Sequence, residues 1–427
     1  MPNLNFLHKT IIMLAAIMPG MAMAQQVNIS VVNHSDEQRQ EVIEISADNV
    51  YKKLGVKPNT PLIVKNAFDL EEIYQITHDG KLLIEATVRP NGTAKYTISQ
   101  GKPQAMKSYV QGKLYKERLD DISWENDRAG YRFYGPALQK QGQKGYGIDL
   151  WMKNTPELSL DTLYNMEYRM ERMSRELSRQ GRKEEARRME REQTYHIDHG
   201  IGVDCYNVGP TLGCGAPAML DGDKLVYPWC YTSYKILDNG PLRFTIETTY
   251  DGKDYHSDSS RSFDNVVEHR LTSLDKGASF NKMTVWYDNI KKPINVSAGF
   301  VVHAADTTGV VLGNDFIAYA DPTDQPQRHN YQIYVAALFP YALHKSTAQP
   351  QFAKHGDVKT RRLLYPAFQN GNAGNAIGEL QNYRSGSRFT YFFGASWSKT
   401  DVRNMKEWRQ RIATTLSAIY NPLEIRY

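Results

Sequence analysis

The protein has 427 residues, of which 41% are hydrophobic and 23% are charged, and its formal net charge is +5 at pH 7. This hydrophobic content is adequate for a buried core, and the interspersed charges argue against a nucleic-acid-binding protein. The cysteines Cys205, Cys214 and Cys230 allow at most one internal disulfide. The core must therefore supply most of the stability.

The first 24 residues have the features of an export signal. Lys9 provides a positive charge, Ile11–Met18 form an apolar run, and Ala22-Met23-Ala24 match an A-x-A cleavage pattern. This pattern predicts a secretory signal peptide over residues 1–24. The apolar run is too short to span a bilayer as a stable helix, and no later run approaches that length. We expect a periplasmic or secreted protein without membrane insertion.

Residues 25–101 are predicted to form an N-terminal β segment that packs on the rest of the chain. Four runs alternate apolar and polar residues as strands do: Val27–Val32, Gln40–Ser46, Lys81–Val88 and Thr93–Ser99. Pro90-Asn91-Gly92 is a turn signal between the last two runs. These features predict a small set of antiparallel strands.

Residues 102–427 are predicted to form a large antiparallel β-sandwich. Runs such as PLRFTIETTYDG and NYQIYVAALFP are short, rich in β-branched and aromatic residues, and bounded by turn residues. Strands do not alternate with helices here, which argues against a parallel α/β sheet. Near the C-terminus, Trp408, Ile412 and Leu416 indicate an amphipathic helix, with Asp401 as its expected N-cap.

A charged helical insertion is predicted over residues 158–193. Met166, Met170, Met173 and Leu177 recur at helical spacing, and the many charges on the other faces nearly cancel. Gly181 is expected to divide the segment into two helices. We interpret the insertion as a solvated helix pair that forms a rim or lid beside the site.

The segment from Thr194 to Pro210 is the first candidate site. It brings together titratable and tyrosine side chains, at His196, Asp198, His199, Asp204 and Tyr206. Its glycines make a regular helix unlikely to form, so the H-x-x-H spacing is weak evidence for zinc. A metal site, a catalytic loop and a hydrogen-bonded turn remain alternatives. We predict catalytic roles for His196, His199 and Tyr206, and substrate binding by Asp198 and Asp204. No cofactor is predicted, although a divalent cation is an alternative.

The second candidate site is the run WENDRAGYRFYG. It contains residues suited to binding a sugar or its carboxylate, at Trp124, Glu125, Asn126, Arg128 and Arg132. An arginine can hold a uronate carboxylate through two parallel hydrogen bonds, but an internal ion pair is the alternative. We predict substrate binding by these five residues and proton transfer or stacking by Tyr134.

Two further runs, KGYGIDLWMK and YPWCYTSYK, add candidate sugar-binding residues. Tyr146, Asp149 and Trp229 are predicted to contact substrate, because aromatic faces stack on the apolar faces of sugar rings. Taken singly, such aromatic residues are more often part of a core. The chain has no G-x-S-x-G elbow, Walker loop or dinucleotide-binding glycine fingerprint, which argues against the corresponding enzyme classes.

An ordered set of motifs resembles a known family. SWENDRAGYRFYGPAL, KGYGIDLWMK, YHIDHGIGVDCYNVGPTLGCG, LDKGASFNKM and FGASWSK are similar to segments of a secreted domain-of-unknown-function family of saccharolytic bacteria. That family is grouped with galactose-mutarotase-like β-sandwiches. The resemblance implies a large antiparallel supersandwich and a setting in glycan utilisation, often beside enzymes for acidic polysaccharides.

We therefore expect an exported carbohydrate-active enzyme that acts on an acidic, uronate-containing glycan or oligosaccharide. Lyase chemistry needs a positive group at the carboxylate, a base at the adjacent proton and an acid for the leaving oxygen. The candidate arginines, histidines and tyrosines are of the types that this chemistry uses. A glycoside hydrolase with two carboxylates, a sugar mutarotase or epimerase, and a non-catalytic periplasmic glycan-binding protein are the alternatives.

Overall fold

The computed structural model describes residues 25–143, 145–226, 228–251, 263, 265–303, 309–323, 330–340, 358–369 and 372–427. The predicted signal peptide lies outside the described residues. The strands are β1 Gln26–Val32, β2 Arg39–Ser46, β3 Leu62–Asn66, β4 Glu71–Glu72, β5 Tyr74–Ile76, β6 Lys81–Val88, β7 Thr93–Gln100, β8 Gln111–Tyr115, β9 Asp121–Glu125, β10 Ala129–Phe133, β11 Ile148–Lys153, β12 Gly202–Val203, β13 Pro217–Asp221, β14 Lys224–Val226, β15 Ser233–Asn239, β16 Arg243–Tyr250, β17 Val267–Asp275, β18 Phe280–Asp288, β19 Ile294–Val302, β20 Val310–Leu312, β21 Phe316–Asp321, β22 Ile333–Leu338, β23 Val358–Gln369, β24 Asn372–Tyr383, β25 Phe389–Trp397 and β26 Glu424–Arg426. The helices are α1 Ala47–Leu54, α2 Pro136–Lys140, α3 Leu160–Arg179, α4 Lys183–Gln193 and α5 Met405–Tyr420.

The described strands form antiparallel sheets, which confirms the predicted mainly β fold. The largest sheet has eight strands in the order β15-β16-β17-β18-β25-β22-β21-β20. Two five-stranded sheets, β14-β13-β19-β24-β23 and β12-β11-β10-β9-β8, contribute with it to the main core. Buried residues alternate along β17, whereas β19 is buried on both faces over most of its length. A strand that is covered on both faces lies inside a layered sandwich.

The N-terminal strands form two smaller sheets around a core of their own. The sheet orders are β26-β1-β7-β3-β4 and β2-β6-β5. The turn at residues 90–92 therefore joins strands of two different sheets rather than the arms of one hairpin. β26 comes from the far end of the chain and pairs with β1. The predicted N-terminal segment of residues 25–101 is thus extended by Glu424–Arg426.

The predicted helical insertion is present as an antiparallel pair, α3 and α4, with Gly181 between them at φ 78°. The deeply buried face of α3 includes Leu163 and Met170 and packs at its base against Trp151 and Tyr195. Met173 is half exposed and lines the groove between the two helices. The apolar stripe read from the sequence therefore faces α4 more than the sandwich.

Helix α5 packs on the eight-stranded sheet through Trp408, whose ring lies 5.1 Å from that of Phe280. The predicted N-cap at Asp401 is wrong. Asn404 caps the helix, because its side chain accepts a hydrogen bond from the backbone N–H of Glu407. The Asp401 carboxylate instead pairs with Arg411.

Candidate functional site

Arg132 lies at the centre of a buried polar cluster. On β10 it stands directly opposite Asp149 of β11, and its side chain is only 4% exposed. Its Nε donates to Asp149 Oδ2 at 2.8 Å, and its Nη2 donates to the same oxygen. Nη2 also donates to Asp204 Oδ2 at 3.1 Å, and Nη1 lies 3.5 Å from Asp121 Oδ2. Three strands and the loop after β12 therefore place three carboxylates around one guanidinium.

Aromatic side chains and a second arginine complete this cluster. The Tyr134 hydroxyl donates to Asp149 Oδ2 at 2.9 Å, and Arg118 Nε donates to the Tyr195 hydroxyl at 3.1 Å. The Arg132 guanidinium lies 4.8 Å from the Tyr134 ring centroid, within cation–π range. We use the name Arg132 cluster for the following residues: Arg118, Asp121, Arg132, Tyr134, Asp149, Tyr195 and Asp204.

The charges of the Arg132 cluster do not cancel when every group is ionised. Three aspartates face two arginines, which leaves one net negative charge in a buried environment. Burial raises the pKa of Asp121 to about 6, against the opposing effect of the arginines. Burial and the Asp149 carboxylate raise the pKa of Asp204 to about 6. One proton on Asp204 would therefore neutralise the cluster.

His196 lies at the edge of the Arg132 cluster, beside Asp204. Its Nδ1 lies 2.8 Å from the backbone oxygen of Asp204 and 3.9 Å from the carboxylate Oδ2 of Asp204. Because a carbonyl oxygen can only accept, the contact requires the proton on Nδ1. Nε2 is then the basic nitrogen of the neutral ring, and no hydrogen bond to it is recorded in the described part of the chain.

A cavity of about 490 Å³ lies beside His196, whose side chain is 44% exposed. The helix pair forms the other walls of this cavity. Its lining residues are Glu167, Met170, Glu171, Arg187, Glu190, Arg191, Thr194 and His196. The insertion thus forms a wall of the space at His196.

His199 and Asp198 organise the loop rather than the Arg132 cluster. His199 is exposed, and its Nε2 lies 3.0 Å from the backbone oxygen of Thr194. The Asp198 carboxylate accepts from the backbone N–H groups of Gly200, at 2.8 Å, and Gly202, at 3.2 Å, and it pairs with Lys399. These bonds fix an Asx-type turn. The geometry therefore separates His196 from His199 as a candidate base.

Trp124 and Glu125 have structural partners that account for their positions. Trp124 is fully buried in the main core and has no face free for a sugar. Glu125, also fully buried, lies 2.5 Å from Lys153 Nζ and accepts from the backbone N–H groups of Ser159 and Leu160, each at 2.9 Å. These N–H groups open α3, so Glu125 supplies negative charge at a helix N-terminus. The geometry does not support the predicted substrate contacts of either residue.

Asn126 and Arg128 join the β9–β10 turn to the β17–β18 turn. Asn126 Nδ2 donates to the backbone oxygens of Asp275, at 2.7 Å, and Ala278, at 2.8 Å. Arg128 Nε donates to the backbone oxygen of Gly277 at 2.6 Å. Both amide hydrogens of Asn126 are thus used within the protein, and Arg128 lines a different cavity from His196.

The predicted aromatic residues do not converge on one surface. Tyr206 is buried, and its hydroxyl donates to the backbone oxygen of Gly213 at 3.0 Å, so its proton is already engaged. Its ring lies 5.8 Å from that of His303, whose Nδ1 is 2.5 Å from Asp321 Oδ2. Tyr146 and Trp229 are half-buried, and both lie outside the Arg132 cluster.

Sequence reasoning missed Arg118, Asp121 and Tyr195 as members of the cluster, and the pair of His303 with Asp321. Asp121 lies just before the quoted motif, and Tyr195 directly precedes His196. Tyr195 lies within the first candidate segment, but nothing in the local sequence indicates its contact with Arg118. The pair of His303 with Asp321 joins β19 to β21 and carries no local signal.

Three other sequence features can be located. Cys205, Cys214 and Cys230 are all buried, and no disulfide joins them in the described structure. Within the described ranges, no group of three or more His, Cys, Asp and Glu side chains is arranged to hold a metal ion. In the Arg132 cluster the guanidinium occupies the place that a cation would take among the carboxylates. No helix in the described part of the chain is both long and apolar enough to cross a membrane.

Comparisons with known proteins find matches over most of the chain. "Uncharacterized protein P7" of Formosa agariphila is 24% identical over 358 residues, which cover 81% of this chain and 77% of that protein. An alpha-mannosidase from Enterococcus faecalis V583 matches with a TM-score of 0.48 and 8% identity, over 94% of this chain and 46% of that one. A protein in the glycosyl hydrolase family 38 from Enterococcus faecalis matches with a TM-score of 0.46 and 7% identity, over 94% of this chain and 47% of that one.

This chain spans about half the length of those two solved structures. The family model described as "Domain of unknown function (DUF4861)" matches residues 31–425. Because this match covers most of the chain, the protein belongs to that family.

Proposed function

We propose that the protein is an exported carbohydrate-active enzyme on a galactose-mutarotase-like sandwich, with His196 as its general base. One observation carries the proposal. The backbone oxygen of Asp204 holds the proton on Nδ1, so Nε2 is the basic nitrogen of a ring that lines an open cavity. The buried Arg132 cluster fixes the position of Asp204, whose backbone oxygen in turn orients the imidazole ring.

The substrate that we propose is an acidic, uronate-containing glycan or oligosaccharide. Arg132 is not available for the uronate, because three aspartates already hold it. Arg191 lines the cavity beside His196, and no ion pair with it is recorded in the described residues. A guanidinium in this position can bind a carboxylate through two hydrogen bonds. We therefore assign the uronate carboxylate to Arg191.

The reaction that we propose is β-elimination. His196 Nε2 takes the proton from C5, next to the carboxylate, and the C–H electron pair forms the C4=C5 double bond. The C4–O bond breaks, and its electron pair leaves with the oxygen, which takes up a proton from water in the open cavity. Arg191 offsets the negative charge that develops on the carboxylate as C5 loses its proton. The products are an unsaturated uronate and a new chain end.

Hydrolysis is the second candidate, and the same cavity supplies the reason. Glu167, Glu171 and Glu190 line it together with His196, and hydrolysis of a glycosidic bond uses two carboxyl groups. All three glutamates already have partners. Glu167 accepts from the backbone N–H of Tyr195 at 2.9 Å, Glu190 accepts from the Ser174 hydroxyl, and Glu171 pairs with Arg175 at 3.4 Å. These bonds favour structural roles, which is why we place hydrolysis second.

Incubation of the purified protein with polygalacturonate, alginate, ulvan and glucuronate-capped arabinogalactan tests the proposal. Unsaturated uronate, detected by its ultraviolet absorbance, with loss of this product in His196→Ala, is the expected result. Saturated new reducing ends without that absorbance would replace elimination by hydrolysis. Interconversion of free sugars without cleavage would identify a mutarotase or epimerase. Binding without turnover would contradict the enzyme proposal and favour a periplasmic glycan-binding protein.

A further inference from the structure

A second cavity, of about 650 Å³, lies where the N-terminal sheets, the eight-stranded sheet and helix α5 meet. It is lined by residues of β2, of the turn between β17 and β18, and of α5. It shares no lining residue with the cavity at His196. Its volume is in the range of small-molecule sites, which often form between packed units of a chain.

Basic side chains dominate the lining of this second cavity. The basic lining residues are Arg39, Arg128, Arg243, Lys276, Lys282 and Arg411, and the acidic ones are Glu41, Glu44 and Asp275. Glu85 and Asp401 pair with the basic groups from outside the lining. Six positive charges therefore meet five negative charges, which leaves one positive charge in excess.

The excess charge can be traced to particular side chains. Arg128 and Arg411 share the single carboxylate of Asp401, at 3.3 Å and 3.0 Å. Lys282 is exposed, and no ion pair with it is recorded in the described part of the chain. Lys282 therefore has no carboxylate to lose on binding an anionic group, and Arg128 and Arg411 have one carboxylate between two guanidinium groups.

Arg39 gives an independent sign of a missing acceptor. Its side chain is only 9% exposed, yet its Nε–H has no hydrogen-bond partner among the residues that the structure describes. The terminal nitrogens are occupied, since Nη1 donates to the backbone oxygen of Asn421 at 2.5 Å and Nη2 to Glu41 at 2.7 Å. A buried donor without an acceptor is rare and costly. A ligand oxygen in the cavity that Arg39 lines would remove this cost.

The same cavity also offers apolar and hydroxyl surface. Phe392 and Ile419 are half-buried lining residues, and Ser279 and Thr415 contribute hydroxyl groups. Apolar faces together with hydroxyl and cationic groups suit a sugar ring that carries an acidic substituent. We propose that this cavity is a second binding site, separate from the His196 cavity, for an anionic saccharide unit. The site would add affinity for an acidic glycan without contributing to chemistry at His196.

Hydrogen–deuterium exchange on the full chain tests this site, with D-glucuronate as the probe and D-glucose as its uncharged match. Glucuronate, but not glucose, is expected to slow amide exchange in the β17–β18 turn and in α5. Lys282→Glu should weaken this protection at least about tenfold, because charge reversal places repulsion where attraction was. Lys235→Glu, an exposed lysine on β15 of the same sheet, is the matched control and should retain it.

His196→Ala should also retain the protection, and this result separates the second site from the proposed function. Protection that glucose gives equally, or that Lys282→Glu and Lys235→Glu retain equally, would overturn the proposal. Inorganic sulfate that protects as well as glucuronate would show a simple anion site and would overturn the assignment to a saccharide. Loss of protection in His196→Ala would assign the signal to the first cavity.

Discussion

Arg132 and Asp149 stand directly opposite each other in the β10–β11 ladder, and the guanidinium meets one carboxylate oxygen through both Nε and Nη2. Asp204 also accepts from Nη2, and Asp121 lies beside Nη1. Through these ion pairs, the buried Arg132 side chain connects β9, β10, β11 and the loop that bears His196. Its charge is used within the protein, which is the reason for assigning the substrate carboxylate to another arginine.

Replacing Arg132 by Met should destabilise the protein strongly. The change keeps most of the side-chain volume but leaves three buried carboxylates without their shared counter-charge. Breaking a buried ion pair in this way costs about 3–5 kcal/mol. Urea unfolding monitored by tryptophan fluorescence measures the loss. Arg175→Gln, which removes an exposed pair with Glu171 on α3, is the control and should change little. A loss of unfolding free energy in Arg132→Met as small as that in Arg175→Gln would contradict the assigned role of Arg132.

The stability of the fold should depend on pH through Asp204. In the folded protein its pKa is raised to about 6, whereas the ordinary value is 3.8. Between these two values the folded state binds more protons than the unfolded state, so the free energy of unfolding falls as pH rises. The stabilisation that the folded protein gains from protonation of Asp204 is fully present below about pH 4 and lost above about pH 6. It amounts to at most about 3 kcal/mol.

Asp204→Asn tests this dependence, because the amide does not titrate. Relative to wild type, the variant should gain stability between pH 4 and about pH 7, as measured by urea unfolding at each pH. Asp69→Asn, at a position 83% exposed on the side chain, should show no such gain. A difference between wild type and Asp204→Asn that stays constant with pH would refute the assigned linkage.

Much of the fold follows from local pattern. The strand Lys81–Val88 and the division of the insertion at Gly181 agree with the structure, because alternation and a helix-breaking glycine act within a few residues. The N-cap of α5 was misplaced because Asp401 and Asn404 are both good capping residues. Long-range pairing decides between them, since Arg411 and Ser396 engage Asp401.

The sequence says less about which candidate site residues lie together than about the fold. The reason is that residues which meet in the structure are far apart along the chain. A run such as WENDR is dense in polar groups, but that density does not say whether partners are substrate or protein. Asn126 bonds to residues about 150 positions away. Arg132 and Asp204 do meet, although they are 72 positions apart. Only the order of the strands in the sheet shows which candidate residues lie close together.

Glu125→Gln should loosen the first turn of α3 and reduce global stability. The amide keeps one acceptor for the N–H groups of Ser159 and Leu160 but removes the charge that Lys153 faces in a buried position. We expect a loss of about 2–4 kcal/mol in the free energy of unfolding. Hydrogen exchange should be faster at the start of α3 than at its end. Glu157→Gln, in an exposed pair with Lys107, is the control and should leave α3 unchanged.

His196 and His199 form a matched pair for testing catalysis, because both lie in one loop and each contacts a backbone oxygen. His196→Ala should lower kcat for release of unsaturated uronate by at least about 100-fold, as expected for loss of a general base. His199→Ala should stay within about threefold of wild type, since it only removes a loop contact. The fall in kcat/KM at low pH, which reports protonation of the general base, should disappear in His196→Ala and persist in His199→Ala. Equal losses in the two variants, with unchanged thermal stability, would remove the distinction drawn from the Asp204 contact.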